Sequence, residues 1–150
     1  MTNTYTALHY HIVFSTKSRM PLITPDIEQR VWSYIGGVAR HHNMVALSIG
    51  GFDDHIHALI GAPATVAPSV IAQQLKGDSS RWIHTSFPVI TTFAWQEGYG
   101  AFTVSKSNLD TVDMYIQRQR KHHANVSFKD EYLTMLKLHN IEPDEQYVFG

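Results

Sequence analysis

The sequence predicts an α+β fold in which strands and helices follow in the order β-α-β-β-α-β, with two more helices at the end of the chain. The 150 residues are 43% hydrophobic, which fits one compact domain over residues 1–150. Four short segments are rich in aromatic and β-branched residues and bounded by turn-forming residues, as strands are. Longer segments between and after them carry apolar residues at helical spacing.

The first strand and the first helix are predicted near the N-terminus. Residues 5–14 mix aromatic and β-branched residues with histidines, and end before the basic turn Lys17-Ser18-Arg19. Thr24 is a suitable N-cap for the helix, and Pro25 suits its first position. Its apolar residues recur at helical spacing up to Asn43; they are Ile27, Val31, Ile35 and Val38.

A hairpin and a second helix follow. Residues 45–49 and 55–60 are short apolar segments separated by Gly50-Gly51-Phe52-Asp53-Asp54, which predicts two antiparallel strands joined by a longer loop. After a connection over residues 63–68, Ile71, Leu75 and Trp82 indicate the second helix. Gly77 weakens this helix by about 1 kcal/mol relative to alanine.

The last elements are one strand and two helices. Residues 101–104 predict the fourth strand, and Ser107 with Asp110 three residues later resembles a capping box that opens a third helix carrying Tyr115. A final helix is expected from about Ser127 to about Asn140, with Leu133, Met135 and Leu136 toward the core. This order is that of a ferredoxin-like sandwich with C-terminal helices, an architecture that hosts many chemistries.

Composition excludes several classes of site. The chain has no cysteine, so disulfides, thiolate metal sites and cysteine nucleophiles are excluded, and a cytoplasmic setting is expected. No apolar run approaches the roughly 20 residues needed to span a bilayer, so neither secretion nor a membrane partner is expected. The net charge of −1 does not indicate nucleic-acid binding, but residues 114–129 carry only basic charges. A solvated helix face is the alternative reading of that run.

Two pairs of residues could carry chemistry. His55 and His57 share one face of a strand, so both imidazoles can meet one metal ion. Tyr115 and Gln119 lie four apart and would project together from a helix. Each pair alone is more often structural, as polar residues on a solvated strand face or as a core aromatic beside a surface amide. Their occurrence together favours a site.

A metal ion beside Tyr115 would suit phosphoryl transfer. Free tyrosine has a pKa near 10, so reaching the phenolate at neutral pH costs roughly 4 kcal/mol. A divalent ion with open positions can polarise a phosphate, and two histidines with an oxygen ligand fit the use of Mg²⁺ or Mn²⁺. Attack by tyrosine would conserve the bond as a phosphotyrosine ester that a 3′-hydroxyl can reverse. Phosphate contacts are expected from Lys17, Arg19, Arg118, Arg120, Lys121 and His122.

These residues occur in blocks that resemble the single-tyrosine HUH transposases of small insertion sequences, the IS200-like transposases, and their repeat-associated relatives. The resemblance covers nearly the whole chain. Its blocks are residues 10–17, 54–60, 75–81 and 95–105, and Tyr115-Ile116-Gln117-Arg118-Gln119 with His122-His123. Asp53 stands where these relatives often have proline.

The resemblance implies that His55 and His57 are metal ligands, that Gln119 supplies a further ligand, and that Tyr115 is the nucleophile. It also implies a ferredoxin-like homodimer that needs Mg²⁺ or Mn²⁺. Such a protein would bind hairpins in single-stranded DNA at element ends and cleave them to a 5′-phosphotyrosine and a free 3′-hydroxyl.

Three alternatives stay open at the level of the sequence. One is a related HUH nickase that starts replication or transfer. Another is a domesticated ferredoxin-like nucleic-acid-binding protein that no longer cuts. The third is a histidine-rich structural domain that takes up metal incidentally.

Overall fold

The computed structural model describes residues 3–150 and contains a four-stranded antiparallel sheet. The strands are β1 (His9–Ser15), β2 (Val45–Phe52), β3 (His55–Gly61) and β4 (Gly100–Thr103), in the order β2-β3-β1-β4. The first and third strands are therefore central, and each pairs antiparallel with its neighbours. This is the strand order of a ferredoxin-like sandwich, so the predicted fold class is confirmed.

Helices cover both faces of the sheet. α1 (Glu28–His41) and α2 (Pro68–Ser86) pack on one face, and α3 (Leu109–Gln117), α4 (Gln119–His122) and α5 (Phe128–Leu138) lie on the other. Because successive strand residues point to opposite faces, Ile12 and Phe14 join the core under α1 and α2, while Val13 joins a smaller core under α5. No helix within residues 3–150 is both long and apolar enough to cross a membrane.

The first elements are shorter than predicted. β1 begins at His9 rather than at residue 5. α1 begins at Glu28, because residues 25–27 form a turn in which the Thr24 carbonyl accepts from the Ile27 and Glu28 amides. The Thr24 hydroxyl bonds to Asp26 instead of capping the helix. The helix ends at His41, before Asn43 in the left-handed conformation (φ 60°).

The hairpin loop is much shorter than the sequence predicts. β2 continues through Gly50 and Gly51 to Phe52, and only Asp53 and Asp54 form the turn. Gly51 is required there, because a Cβ at this position would lie 2.2 Å from the His55 carbonyl oxygen. The two glycines that indicated a loop therefore allow close strand pairing instead.

The second helix buries Ile71 and Leu75 as predicted, and also Ile83. Trp82 lies half-buried and stacks on Tyr34, with ring centroids 4.4 Å apart. At the C-terminal end of this helix, the buried apolar residue is therefore Ile83, one position after the predicted Trp82.

The segment around Tyr115 differs from the predicted single helix. No capping box forms, because the Ser107 hydroxyl bonds to that of Ser105 and a 3₁₀ turn precedes α3. α3 ends at Gln117, and Arg118 (φ −99°, ψ 16°) breaks the helix before the single turn of α4. Tyr115 and Gln119 thus belong to different helical segments.

The final helix is capped by Ser127, whose hydroxyl accepts from the Asp130 amide at 3.1 Å. It buries Phe128, Tyr132 and Leu136, whereas Leu133 is only partly buried. The helix ends at Leu138, two residues before the predicted end.

Candidate active site

The histidine pair lies on β3, buried under the helices that follow the fourth strand. Both His55 and His57 are fully buried, and each uses its Nδ1 atom in a hydrogen bond. His55 Nδ1 is 2.7 Å from Asp54 Oδ1, and His57 Nδ1 is 2.8 Å from His11 Nε2. These contacts fix the ring orientations and direct both Nε2 atoms to one point, as second-shell partners do for metal-binding histidines.

A carboxylate from α5 lies where these nitrogens meet. Glu131 Oε1 is 2.9 Å from His57 Nε2, 3.4 Å from His55 Nε2 and 3.1 Å from His123 Nε2. The ligand atoms of the four residues all lie within 4.8 Å of one another. Bonds of about 2.1 Å to a common ion would separate adjacent ligand atoms by about 3.0–3.4 Å. The four buried side chains His55, His57, His123 and Glu131 can therefore bind a metal ion.

Gln119 joins this cluster despite the break in the helix. Its side chain is buried, and Oε1 lies 2.9 Å from His55 Nε2 and 2.8 Å from His123 Nε2. Its Nε2 donates to Glu131 Oε2 at 3.1 Å. The structure therefore brings the amide oxygen and both histidines of the predicted ligand set together.

Tyr115 lies beside the cluster in the same chain. Its hydroxyl donates to Glu131 Oε2, and its ring meets that of His57 edge-on with centroids 5.6 Å apart. Burial, reinforced by the bond to Glu131, raises the pKa of Tyr115 well above its ordinary value. The hydroxyl is therefore protonated at neutral pH.

Burial also controls the charge of the cluster. It lowers the pKa of His57 to about 4 and that of His11 well below the usual 6.5. Burial alone would raise the pKa of Glu131, but its contacts with His123 and His57 outweigh that and hold it well below the ordinary range. At pH 7 the site thus presents an ionised carboxylate and a neutral His57, as a cation requires.

These shifts fix the direction of one pH effect. Because the pKa of His57 is lower in the folded than in the unfolded chain, the unfolded chain binds protons more readily between about pH 6.5 and about pH 4. The pKa of His123 is raised in the folded chain, so protonated His123 stabilises the fold fully below its unfolded pKa of about 6.5. That stabilisation is lost only as the pH rises above this value, outside the acidic window. Acidification through this window should therefore destabilise the fold.

The predicted DNA-binding residues occupy different places. Arg118, Lys121 and His122 line a groove of about 450 Å³ into which Tyr115 opens. Lys17 and Arg19 line a second groove, where the Arg19 guanidinium lies 4.2 Å from the Phe149 ring centre.

Arg120 has acidic partners instead of lining the groove beside Tyr115. Its guanidinium bonds to Glu28 at 2.7 Å and to Asp53 at 2.8 Å, and it lies over the Phe52 ring. These contacts tie α4 to α1 and to the hairpin turn. Its positive charge is therefore balanced by two carboxylates of the chain itself.

Three residues at the site, His11, His123 and Glu131, were not among the predicted ligands. His11 and His123 lie in histidine-rich stretches and in two of the blocks that carry the family resemblance, but neither signal assigned them a role. Glu131 had none, because it is one acid among several in the C-terminal part of the chain.

The fold and the site together define an α+β domain that can hold one metal ion beside a tyrosine hydroxyl. The family model described as transposase IS200-like matches residues 4–119, which is more than half of the chain. The chain belongs to this transposase family, and the resemblance noted in the sequence is confirmed.

Two solved structures share the fold. A candidate transposase from Deinococcus radiodurans is 22% identical, with a TM-score of 0.66 over 79% of this chain and 95% of that one. A REP-associated tyrosine transposase, bound to a REP hairpin, is 14% identical, with a TM-score of 0.60 over 84% of this chain and 74% of that one. No curated protein matches the chain significantly.

Proposed function

We propose that this chain is a metal-dependent single-strand DNA transposase that cleaves and rejoins DNA at hairpin-marked ends through a 5′-phosphotyrosine on Tyr115. The observation that carries the proposal is the convergence of the Tyr115 hydroxyl and the histidine pair on one carboxylate, Glu131, within a single chain. Membership of the transposase family supports the reaction class.

His55, His57 and Gln119 would hold the ion, because Gln119 Oε1 lies 2.9 Å from His55 Nε2, and the Nε2 atoms of His55 and His57 both face Glu131 Oε1 in the buried cluster. Mg²⁺ or Mn²⁺ is the proposed cofactor. When bound, such an ion polarises the scissile phosphate and orients it for attack.

Tyr115 would supply the nucleophile. Its oxygen forms a bond to phosphorus while the bond from phosphorus to the 3′ oxygen breaks, leaving a 3′-hydroxyl and an enzyme-linked 5′-phosphate. The phenolic proton is lost, and one proton is taken up by the leaving 3′ oxygen, so the step needs no other reactant. Rejoining is the reverse attack by a 3′-hydroxyl on the phosphotyrosine. The helix break at Arg118 places Tyr115 and the amide of Gln119 on either side of a short bend.

The groove beside Tyr115 is the proposed path of the DNA. Arg118, Lys121 and His122 line it and can contact phosphates on both sides of the scissile bond. Lys17 and Arg19 would contact a more distant part of the strand, since they line the second groove. A hairpin substrate is supported by the structural relative that binds one. We propose that the protein acts as a homodimer, although Tyr115 already lies beside the histidine pair of its own chain.

The test is a covalent-adduct assay. The protein and Tyr115→Phe are incubated with hairpin-bearing single-stranded oligonucleotides from the flanks of its own gene, with Mg²⁺, with Mn²⁺ or with chelator, and run on a denaturing gel. Tyr99→Phe is the matched control, because Tyr99 is partly exposed and lies outside the cluster. A metal-dependent protein-DNA band that is lost only in Tyr115→Phe is expected.

Other outcomes favour the alternatives. Tight hairpin binding with no adduct on any flanking sequence would indicate a nucleic-acid-binding protein. Cleavage without rejoining of an added 3′-hydroxyl strand would indicate a nickase. Neither hairpin preference nor adduct would indicate a structural domain.

A further inference from the structure

We infer that Glu131, in the helix that follows the tyrosine segment, is a ligand of the same metal ion and also the anchor of the Tyr115 hydroxyl. One carboxylate would then hold the nucleophile at the ion. The anchoring part rests on the proposed function, whereas the metal-binding part does not.

The two oxygens of Glu131 have different partners. Oε1 faces the Nε2 atoms of His55, His57 and His123 at 2.9–3.4 Å. Oε2 accepts from the Tyr115 hydroxyl and from Gln119 Nε2. A bridging carboxylate therefore connects the metal-binding nitrogens directly to the nucleophile.

The packing of α5 places this carboxylate. Phe128 stacks on the His55 ring with centroids 4.4 Å apart, and Tyr132 and Leu136 pack on the sheet. Glu131 lies three residues after Phe128, so it belongs to the same buried face of the helix. An acid on an apolar face is costly unless it is paired or coordinates a metal. The free-energy cost of burying Glu131 is accounted for if this carboxylate binds the metal ion and accepts the Tyr115 hydroxyl.

The donor set also predicts which ion is preferred. Mg²⁺ favours oxygen ligands and retains much of its water, whereas imidazole suits transition metals. With His123 and Glu131 included, the cluster offers three imidazoles and one carboxylate. We therefore expect Mn²⁺ to bind more tightly than Mg²⁺.

The experiment measures Mn²⁺ binding to the full chain by titration calorimetry, without DNA. Glu131→Gln should weaken Mn²⁺ binding by at least about 10- to 100-fold. Asp130→Asn is the matched control, because Asp130 is the neighbouring acid on the same helix but is exposed, and it should bind within about twofold of wild type. Circular dichroism establishes that each variant is folded.

Glu131→Asp is the second variant, because it keeps the buried charge if Glu131→Gln does not fold. The aspartate side chain is one methylene shorter, so its carboxylate oxygens do not reach as far into the cluster. Glu131→Asp should therefore bind Mn²⁺ more weakly than wild type. The anchoring role has its own readout: Mn²⁺ should change the near-ultraviolet absorption of tyrosine in wild type, but not in Tyr115→Phe or Glu131→Gln.

The outcomes separate this inference from the proposed function. A folded Glu131 variant with wild-type Mn²⁺ affinity would overturn the inference even if the adduct forms. Loss of Mn²⁺ binding in the Glu131 variants, with no Tyr115-dependent adduct on any substrate, would support the ligand role and reject the transposase. An unchanged tyrosine spectrum in wild type would overturn the anchoring role.

Discussion

Gly50 controls how closely the helix that carries Tyr115 approaches the strands of the histidine pair. It lies on β2, paired with His57, and α3 passes directly above it. A Cβ at position 50 would lie 2.6 Å from the Ile116 carbonyl oxygen and 3.0 Å from the Ile116 Cγ2 atom. Ile116 is the residue after Tyr115, so the substitution Gly50→Ala acts on the proposed nucleophile through the backbone.

The size of the effect follows from these distances. Ordinary contact begins at about 3.4 Å, so the Ile116 carbonyl must move back by about 0.8 Å. A displacement of about 1 Å at a reacting group can cost on the order of 100-fold in rate. We expect adduct formation by Gly50→Ala to slow by about 10- to 100-fold, with about 1–3 kcal/mol of stability lost to overpacking.

The assay is single-turnover formation of the protein-DNA adduct, beside hairpin binding and urea unfolding. Gly77→Ala is the matched control, because a Cβ there has no atom within 4 Å. It should leave the rate unchanged and stabilise α2 by about 1 kcal/mol. A folded Gly50→Ala protein that forms the adduct at the wild-type rate would refute the argument that this contact positions Tyr115.

Three further predictions concern stability and DNA binding. Between pH 6.5 and 4 the free energy of unfolding of the chelator-treated protein should fall by on the order of 3 kcal/mol, because His57 takes up a proton more readily in the unfolded chain. Calorimetry should show that the stability of His57→Gln depends less steeply on pH over this range. A pH dependence equal to that of wild type would show that His57 is not the group responsible. Arg118→Met should lower the log-log salt slope of hairpin binding by about one, whereas Arg120→Met should leave the slope unchanged and cost about 1 kcal/mol of stability. A wild-type salt slope in Arg118→Met would place Arg118 outside the DNA path. Phe128→Ala should cost about 3–5 kcal/mol in urea unfolding and the exposed Leu138→Ala less than about 0.5 kcal/mol, so similar losses would show that α5 is not packed on the site.

Local patterns in the chain predicted most of the architecture. The helical spacing of Val31, Ile35 and Val38 predicted α1, and the apolar segments before and after Gly50-Gly51 predicted the hairpin strands. Element ends were less accurate, because caps depend on which groups compete for a side chain. Thr24 bonds to Asp26, so the helix begins one turn later than its cap predicted.

The sequence by itself determined that His55 and His57 lie on one face of a strand, and it identified the segment that carries Tyr115. Alternation along a strand places His55 and His57 on one face whatever the strand packs against. By contrast, Tyr115 and Gln119 meet the cluster from two helical segments, which their spacing in the sequence did not indicate.

Only the tertiary structure decided which acidic residue joins the histidine cluster and which basic residues are paired with acidic residues of the chain. Glu131 reaches His57 because α5 docks Phe128 and Tyr132 on the sheet, 74 residues away in the sequence. Arg120 meets Glu28 for a similar reason, across 92 residues. Backbone periodicity is a local property that a sequence displays directly, whereas the burial of one charged side chain depends on long-range packing of the whole chain.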